Sequence, residues 1–389
     1  MATRDDVARL AGVSSSTVSY VISGRRPISD KTKARVKRAM EELDYTPNAF
    51  ARGLAGSRLG LIALHYPSNA AGVPSTEFEY VTTMADSARE KGYHLLLWTQ
   101  PLEDTAGLHS LVSQGIVDGV VLMELIAEDP RVKVMQESGV PFVCVGRPDD
   151  AAGLVYVDND FDDQAMQAME YLHESGHRSV VFLRPDTKAD GRGQGTDARM
   201  CQGLTRAAEK YGFVLKFWRA KRTPAAGQKI LQRILTEESR PTALLSLNEV
   251  AAAGFANAAA VAGMPVPEHF TMIGLNMGDV AADLMLPRMT TVSPSPATLM
   301  SKAMDALEKL IEKEPGFSMQ ELVTPKLTIR GSSARVREPA SPDEPASSGE
   351  PASPDEPASS GEPASSGEPA SSGEPASSGE SVSPEEPTT

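Results

Sequence analysis

Ser15, Ser16 and Tyr20 share a short helical stretch with Val18, Val21 and Ile22, in the run SSSTVSYVI. A 3.6-residue period puts the three apolar residues on one face and the hydroxyls and phenol elsewhere. Small polar side chains on an exposed helical face can approach base edges closely in a DNA major groove. Thr3, Ser14, Thr17, Ser29 and Thr32 surround this stretch, with Arg25 and Lys31 nearby. These hydroxyls and cations suit phosphates, and such contacts position a protein without reading sequence. No comparable set supports catalysis. His65, His94, His109, His173, His177 and His269 are scattered without a paired nucleophile. No acid/base constellation appears, so no enzyme is expected.

Three helical patterns must carry the polar face. Val7, Leu10 and Ala11 define the first, with Thr3 as N-cap, Asp6 three residues on and Gly12 as stop. Ser14 can cap the second. The third has Val36, Ala39, Met40 and Leu43 at i, i+3, i+4, i+7, capped by Ser29 or Asp30. Two helices joined by a tight Gly-containing turn, with a third completing a small core, predict a helix-turn-helix. Residues 1–58 hold 11 Lys+Arg against 6 Asp+Glu, within a chain of net charge −14. A basic end on an acidic chain points to a polyanion partner.

The rest of the chain narrows the class. Its 389 residues have room for two or three domains, and 40 % hydrophobic content supports a real core. No apolar run is long enough to span a membrane, and the N-terminus reads as a charged helix rather than a signal peptide. Cys144 and Cys201 form no disulfide framework and no zinc spacing, so a reducing cytoplasm, no metal and no cofactor are expected.

From Leu59 onward, apolar strands alternate with amphipathic helices. LGLIALHY, YHLLLW, GVVLMEL, PFVCVG and LVYVDN form one set; SVVFL, VLKFW, ALLSL and FTMIGL form a second. This alternation predicts parallel sheets covered on both faces, in two doubly wound lobes of ~100 residues each. Open parallel sheets bind ligands at the carboxyl ends of their strands, so the facing lobes would form a cleft. Tyr66, Phe78 and Asp158 are cleft candidates by strand-end position, with packing or capping as the alternative for each. DGRGQGTD has the wrong glycine spacing for a dinucleotide and no Lys-Ser/Thr for a phosphate loop, and reads as a cleft-side loop. Trp98 suggests core or subunit interface, and His177 a capping or packing role.

DVARLAGVSSSTVSYVISG and TKARVKRAMEELDYTPNAFARGLAG resemble the head of the LacI (lactose repressor)/GalR family of bacterial transcription regulators. The resemblance implies that YTPNAFARGLAG is a hinge helix folding on the operator, with Asn48, Ala51 and Leu54 at the minor groove and Leu54 as the wedge. A hinge of about eight residues is too short to be stable alone. Tyr20 stands where the family usually has a guanine-reading arginine, so a different half-site is expected.

The likeness continues more loosely through the core to LPRMTTV, implying the fold of periplasmic sugar-binding proteins and a sugar or related metabolite as effector. Here the ligand positions depart. The family's arginine slot is Met200, with Arg199 one residue away; its aspartate is Asn276; its Asn-Asp pair is Asn248–Glu249. Arg199, Asn248 and Asn276 are the remaining effector candidates. Losing an arginine and a carboxylate weakens a simple-sugar reading.

From about Glu338 the chain repeats EPASSG-like units with 12 Asp+Glu and no Lys or Arg, predicting a disordered acidic tail. Nothing there resembles a tetramerisation helix, so a homodimer is expected. The expected organisation is a helix-turn-helix at 1–47 and a hinge at 48–58. A two-lobed core follows at 59–332, then a tail at 333–389. Lobe 1 takes about 59–158 and 292–318; lobe 2 takes 159–288 and 319–332. The expected role is a dimeric repressor of a palindromic operator, under metabolite control. The alternative is a periplasmic-type binding protein without regulatory DNA binding.

Overall fold

The computed structural model describes residues 2–23, 26–45, 58–67, 75–186 and 194–336. The head has three helices, α1 (Arg4–Ala11), α2 (Ser15–Ser23) and α3 (Asp30–Glu42). A capping box opens α1: Thr3 Oγ1 accepts from the Asp6 N–H, and the Asp6 carboxylate accepts from the Thr3 N–H. Gly12 ends it at φ 64°, a left-handed conformation that a side chain would strain. Ser14 and Ser29 each accept the N–H three residues on, at 3.2 and 3.3 Å. Arg35 of α3 donates to Ala11 O and Gly12 O, tying the third helix to the turn. Val7, Ala8, Ala11, Val18, Val36 and Ala39 make the core. Leu10 was expected inside, but it is 45 % exposed. The inward stripe of this two-turn helix runs 7, 8, 11, and Ala8 takes the place.

The core contains two six-stranded sheets. The first has the order β11-β5-β4-β3-β1-β2, formed by β1 (Leu61–His65), β2 (His94–Trp98), β3 (Gly119–Leu122), β4 (Phe142–Val145), β5 (Tyr156–Asn159) and β11 (Gln320–Val323). Its helices are α4 (Ser75–Glu90), α5 (Thr105–Ser113), α6 (Pro130–Ser138) and α12 (Pro296–Glu312). The second has the order β12-β10-β9-β8-β6-β7, formed by β6 (Ser179–Pro185), β7 (Val214–Ala220), β8 (Ala243–Ser246), β9 (Thr271–Leu275), β10 (Thr290–Ser293) and β12 (Lys326–Thr328). Its helices are α7 (Phe161–Glu174), α8 (Gln194–Tyr211), α9 (Pro224–Thr236), α10 (Glu249–Val261) and α11 (Asp279–Asp283). Central strands such as β3 and β8 are buried along their whole length, as a parallel sheet covered on both faces requires.

Three details differ from the sequence reading. Pairing is parallel except for β12, which runs antiparallel to β10. Strand β11 joins the first sheet beside β5, not the second lobe, and β10 belongs to the second. The chain therefore crosses between lobes after β5, after β10 and after β11, and only from β12 on does it return to lobe 2. Two residues separate β11 from β12, so both strands lie at the lobe junction. The core also extends past 332: Val336 N–H donates to Ser175 O, and Ala334 O lies 3.1 Å from His177 Nε2. His177 packs as expected, with Nδ1 2.8 Å from Thr242 Oγ1. The proposed tail beyond 336 lies outside the described residues.

One ion pair is wholly inside lobe 1. Arg131 and Asp129 have fully buried side chains, 2.7 Å apart. Arg131 also donates to Met123 O at 2.9 Å and Glu124 O at 3.3 Å. Removing one partner strands the other charge in a low-dielectric interior. Asp129→Ala should lower stability by about 3–5 kcal/mol, read as the urea midpoint at constant slope. A loss under 1 kcal/mol would refute this assignment.

Candidate effector cleft and DNA-reading face

The carboxyl ends of the strands from both sheets converge on one cavity of about 130 Å³. Lobe 1 contributes residues just after β3 and β4, the end of β5, and the inner face of α4. Lobe 2 contributes the ends of β6, β8 and β9 and the first turns of α8. Helix α8 begins at Gln194, so Gly195 and Thr196 are helical. A β-carbon at Gly195 would fall 2.7 Å from Leu125 O, so only glycine lets the lobes approach there.

Charges line this cavity in two groups. On one side, Arg147 Nη1 lies 3.3 Å from Asp158 Oδ2. Arg199 donates to Arg147 O at 2.7 Å and Pro148 O at 3.2 Å, across the cleft. On the other, Arg222 of lobe 2 pairs with Glu77 of lobe 1 at 3.4 Å, beside Tyr80 and Glu124. Glu124 has a left-handed backbone, φ 54°, an uncommon state for a residue with a side chain. A second inter-lobe contact lies next to Glu77: Glu249 accepts from Ser75 N–H and Thr76 Oγ1–H, and Thr76 Oγ1 accepts from Gly278 N–H.

Burial pushes Glu77 up to about 7, against the opposing pull of Arg222 and with help from Glu124 and Glu249. Burial likewise raises Asp158 to about 6, against Arg147 and Arg199.

Of the six effector candidates, Asp158, Arg199 and Asn276 line the cavity. The other three do not. Tyr66 is buried in the lobe 1 core, and Phe78 is 59 % exposed on the outer face of α4. Asn248 is spent on structure: its Oδ1 caps α10 and its Nδ2 donates to Ala220 O and Lys221 O. Met200 is buried among α7 and α8 side chains, so Arg199 is the arginine that faces the cleft. The sequence reading missed Glu77, Tyr80, Glu124, Arg147 and Arg222. Glu124 and Arg147 directly follow strand-end pairs of GVVLM and PFVCVG, a position that could have marked them. The helix-face residues carried no such signal.

On the head, Ser16 is exposed and Ser15, Thr17 and Tyr20 are half-buried. Several hydroxyls have local partners. Ser15 Oγ donates to Asp5, and Ser14 Oγ lies 2.8 Å from both Ser16 Oγ and Thr17 Oγ1. Thr3 Oγ1 donates to Asp6 at 2.6 Å, and Ser29 Oγ lies 2.9 Å from Thr32 Oγ1. Lys31 is exposed. The Arg26 guanidinium stands 5.0 Å over the Tyr20 ring, adding an unanticipated cation beside the reading face. Arg25, Asn48, Ala51 and Leu54 lie outside the described residues.

The raised acids carry a pH consequence. Below about 4.5 Glu77 is protonated folded or unfolded, and its burial costs nothing. As pH rises through 7 the unfolded chain gains by ionising first, so stability falls over that window. Asp158 acts in the same direction. Glu77→Gln should reduce the loss between pH 5 and 7.5 by roughly 1–2 kcal/mol, compared through urea midpoints. Identical slopes in both proteins would sink the idea.

Residues 3–48 match the model of the lacI family of bacterial regulatory proteins, and residues 169–333 match the periplasmic binding protein-like domain. The HTH-type transcriptional repressor PurR of Erwinia tasmaniensis is 31 % identical over 343 residues, covering 86 % of this chain and 97 % of the relative. Among solved structures, the complex of the transcriptional regulator CelR with cellobiose shares 25 % identity at TM-score 0.61, over 86 % of this chain and all of that one. The lac repressor dimer bound to operator and anti-inducer is 22 % identical at TM-score 0.70, over 86 % and 99 %, a likeness of fold. A capped helix-turn-helix head, two facing parallel sheets with a polar cleft, and this extent of similarity place the chain in the lacI family of bacterial regulatory proteins, as a DNA-binding transcription regulator.

Proposed function

We propose that this regulator is a repressor that binds a palindromic operator as a homodimer and answers to a small metabolite in the inter-lobe cleft. The observation that carries the reading is the pairing of a reading helix with a cavity bridged from both lobes. Helix α2 would enter the major groove, with Ser15, Ser16 and Tyr20 at base edges. Thr3, Ser14, Thr17, Arg25, Ser29, Lys31 and Thr32 would hold phosphates. Asn48, Ala51 and Leu54 would sit in the central minor groove, with Leu54 as the wedge. Asp158, Arg199 and Asn276 would face the metabolite. A ligand shifts the lobes only through different affinities for two arrangements. The exposed Leu284 and Leu286, beside an apolar groove on lobe 2, favour a second copy of the chain as partner. A DNA-bound regulator of this kind works in the cytoplasm, at the nucleoid.

Selection of bound duplexes from a random pool should recover one palindrome. Tyr20→Ala should weaken that site by roughly ten- to a hundredfold, about 1–3 kcal/mol, and relax one base position in each half. Leu54→Ala should weaken binding without shifting the base preferences of the outer positions. Failure to enrich any palindrome, with or without a small-molecule extract of cells, would rule the reading out.

A further inference from the structure

The cleft is electrically polarised. Its Arg147, Arg199 and Asp158 side sums to one positive charge. Its Glu77, Glu124 and Arg222 side sums to one negative charge once Glu77, which burial raises to about 7, is ionised. Asp149 also approaches Arg199 at 3.6 Å, but from an exposed position outside the cavity lining. Glu249 is already engaged with Ser75 and Thr76.

Unused hydrogen-bonding capacity lies on the basic side. Asp158 is 5 % exposed, yet its Oδ2 has no hydrogen-bond partner, and neither has the buried Arg147 Nη1 it faces. Among the described residues the Glu124 carboxylate has no ion-pair partner, and its loop is pinned by Arg131 from behind. Buried polar groups left unpaired are costly, so an anionic group that accepts from Arg147 Nη1 gains there, and a cation beside Glu124 gains an ion pair. Cavities of roughly 150 Å³ house a molecule of benzene size. This one has room for a molecule of amino-acid size.

Resting on the reading that the cleft takes an effector, we propose that the effector is a small zwitterion of amino-acid type. Its anionic group meets Arg147 and Arg199, and its ammonium meets Glu124, Glu77 and the Tyr80 phenol.

The test is isothermal titration calorimetry on the full chain. The probes are the L-amino acids, 5-aminopentanoate, 1,5-diaminopentane, glutarate and glucose. At least one zwitterion should bind tenfold or more tightly than the diamine, the dicarboxylate and glucose. Glu124→Gln and Arg199→Gln should each weaken it at least tenfold, with the melting temperature of the unliganded variants confirming that they fold. If glucose, the diamine or the dicarboxylate binds as tightly, or Glu124→Gln leaves the zwitterion unaffected, the proposal is wrong and an effector cleft still stands. The same holds if only a cell extract gives heat. If neither the probes nor the extract gives heat, the cleft reading fails with it.

Discussion

The two lobes are joined through a small buried network of amides. Asn159, at the end of β5, donates to Gln164 Oε1 at 2.6 Å and to Asn276 Oδ1 at 2.8 Å. Gln164, in the first turns of α7, donates to Asn276 Oδ1 at 2.9 Å and to Val292 O. These residues come from the crossover after β5, the end of β9 and the strand before the crossover to α12. The network therefore ties a lobe 1 strand end to two lobe 2 strands where the chain changes lobe. Side-chain amides suit this place, because each supplies donors and an acceptor and needs no counter-ion. Asn276 also has φ 50°, a left-handed state that asparagine tolerates better than most residues. Its departure from an aspartate thus has a local explanation in addition to any role toward a ligand.

What the junction positions, the buried Arg131 holds in shape. Its guanidinium is balanced by Asp129, and it grips the carbonyls of Met123 and Glu124 at the end of β3. Two supports, one between lobes and one behind the cleft wall, hold the polar groups that line the cleft. Side chains there are preorganised by neighbours that a ligand never touches.

The lobes also meet directly across the cleft mouth. Glu249 and Arg222 reach lobe 1 from one side, and Arg199 reaches it from the other. These contacts across the cleft mouth are polar. Such contacts are individually modest, since water competes for each partner. An equilibrium between two lobe arrangements is one that a bound metabolite can bias.

The sequence by itself determined the element order, the head and the class. Periodicity, caps and turns are local signals, and Thr3–Asp6, Gly12, Ser14 and Ser29 all act through neighbours within a few residues. The apolar strand runs likewise announce parallel sheets through burial on both faces. Tertiary structure decided what depends on distant chain segments meeting. Strand β11 falls in the other lobe from the one its sequence position suggests, because its pairing with β5 is set by a partner 164 residues earlier (Gln320 opposite Tyr156). Asn248 looked like a ligand handle, but β7 supplies carbonyls that consume it. Glu77, Tyr80, Glu124, Arg147 and Arg222 become one site only when two sheets bring their strand ends together. A single residue type at a helix face or strand end carries no record of which other segment it will face.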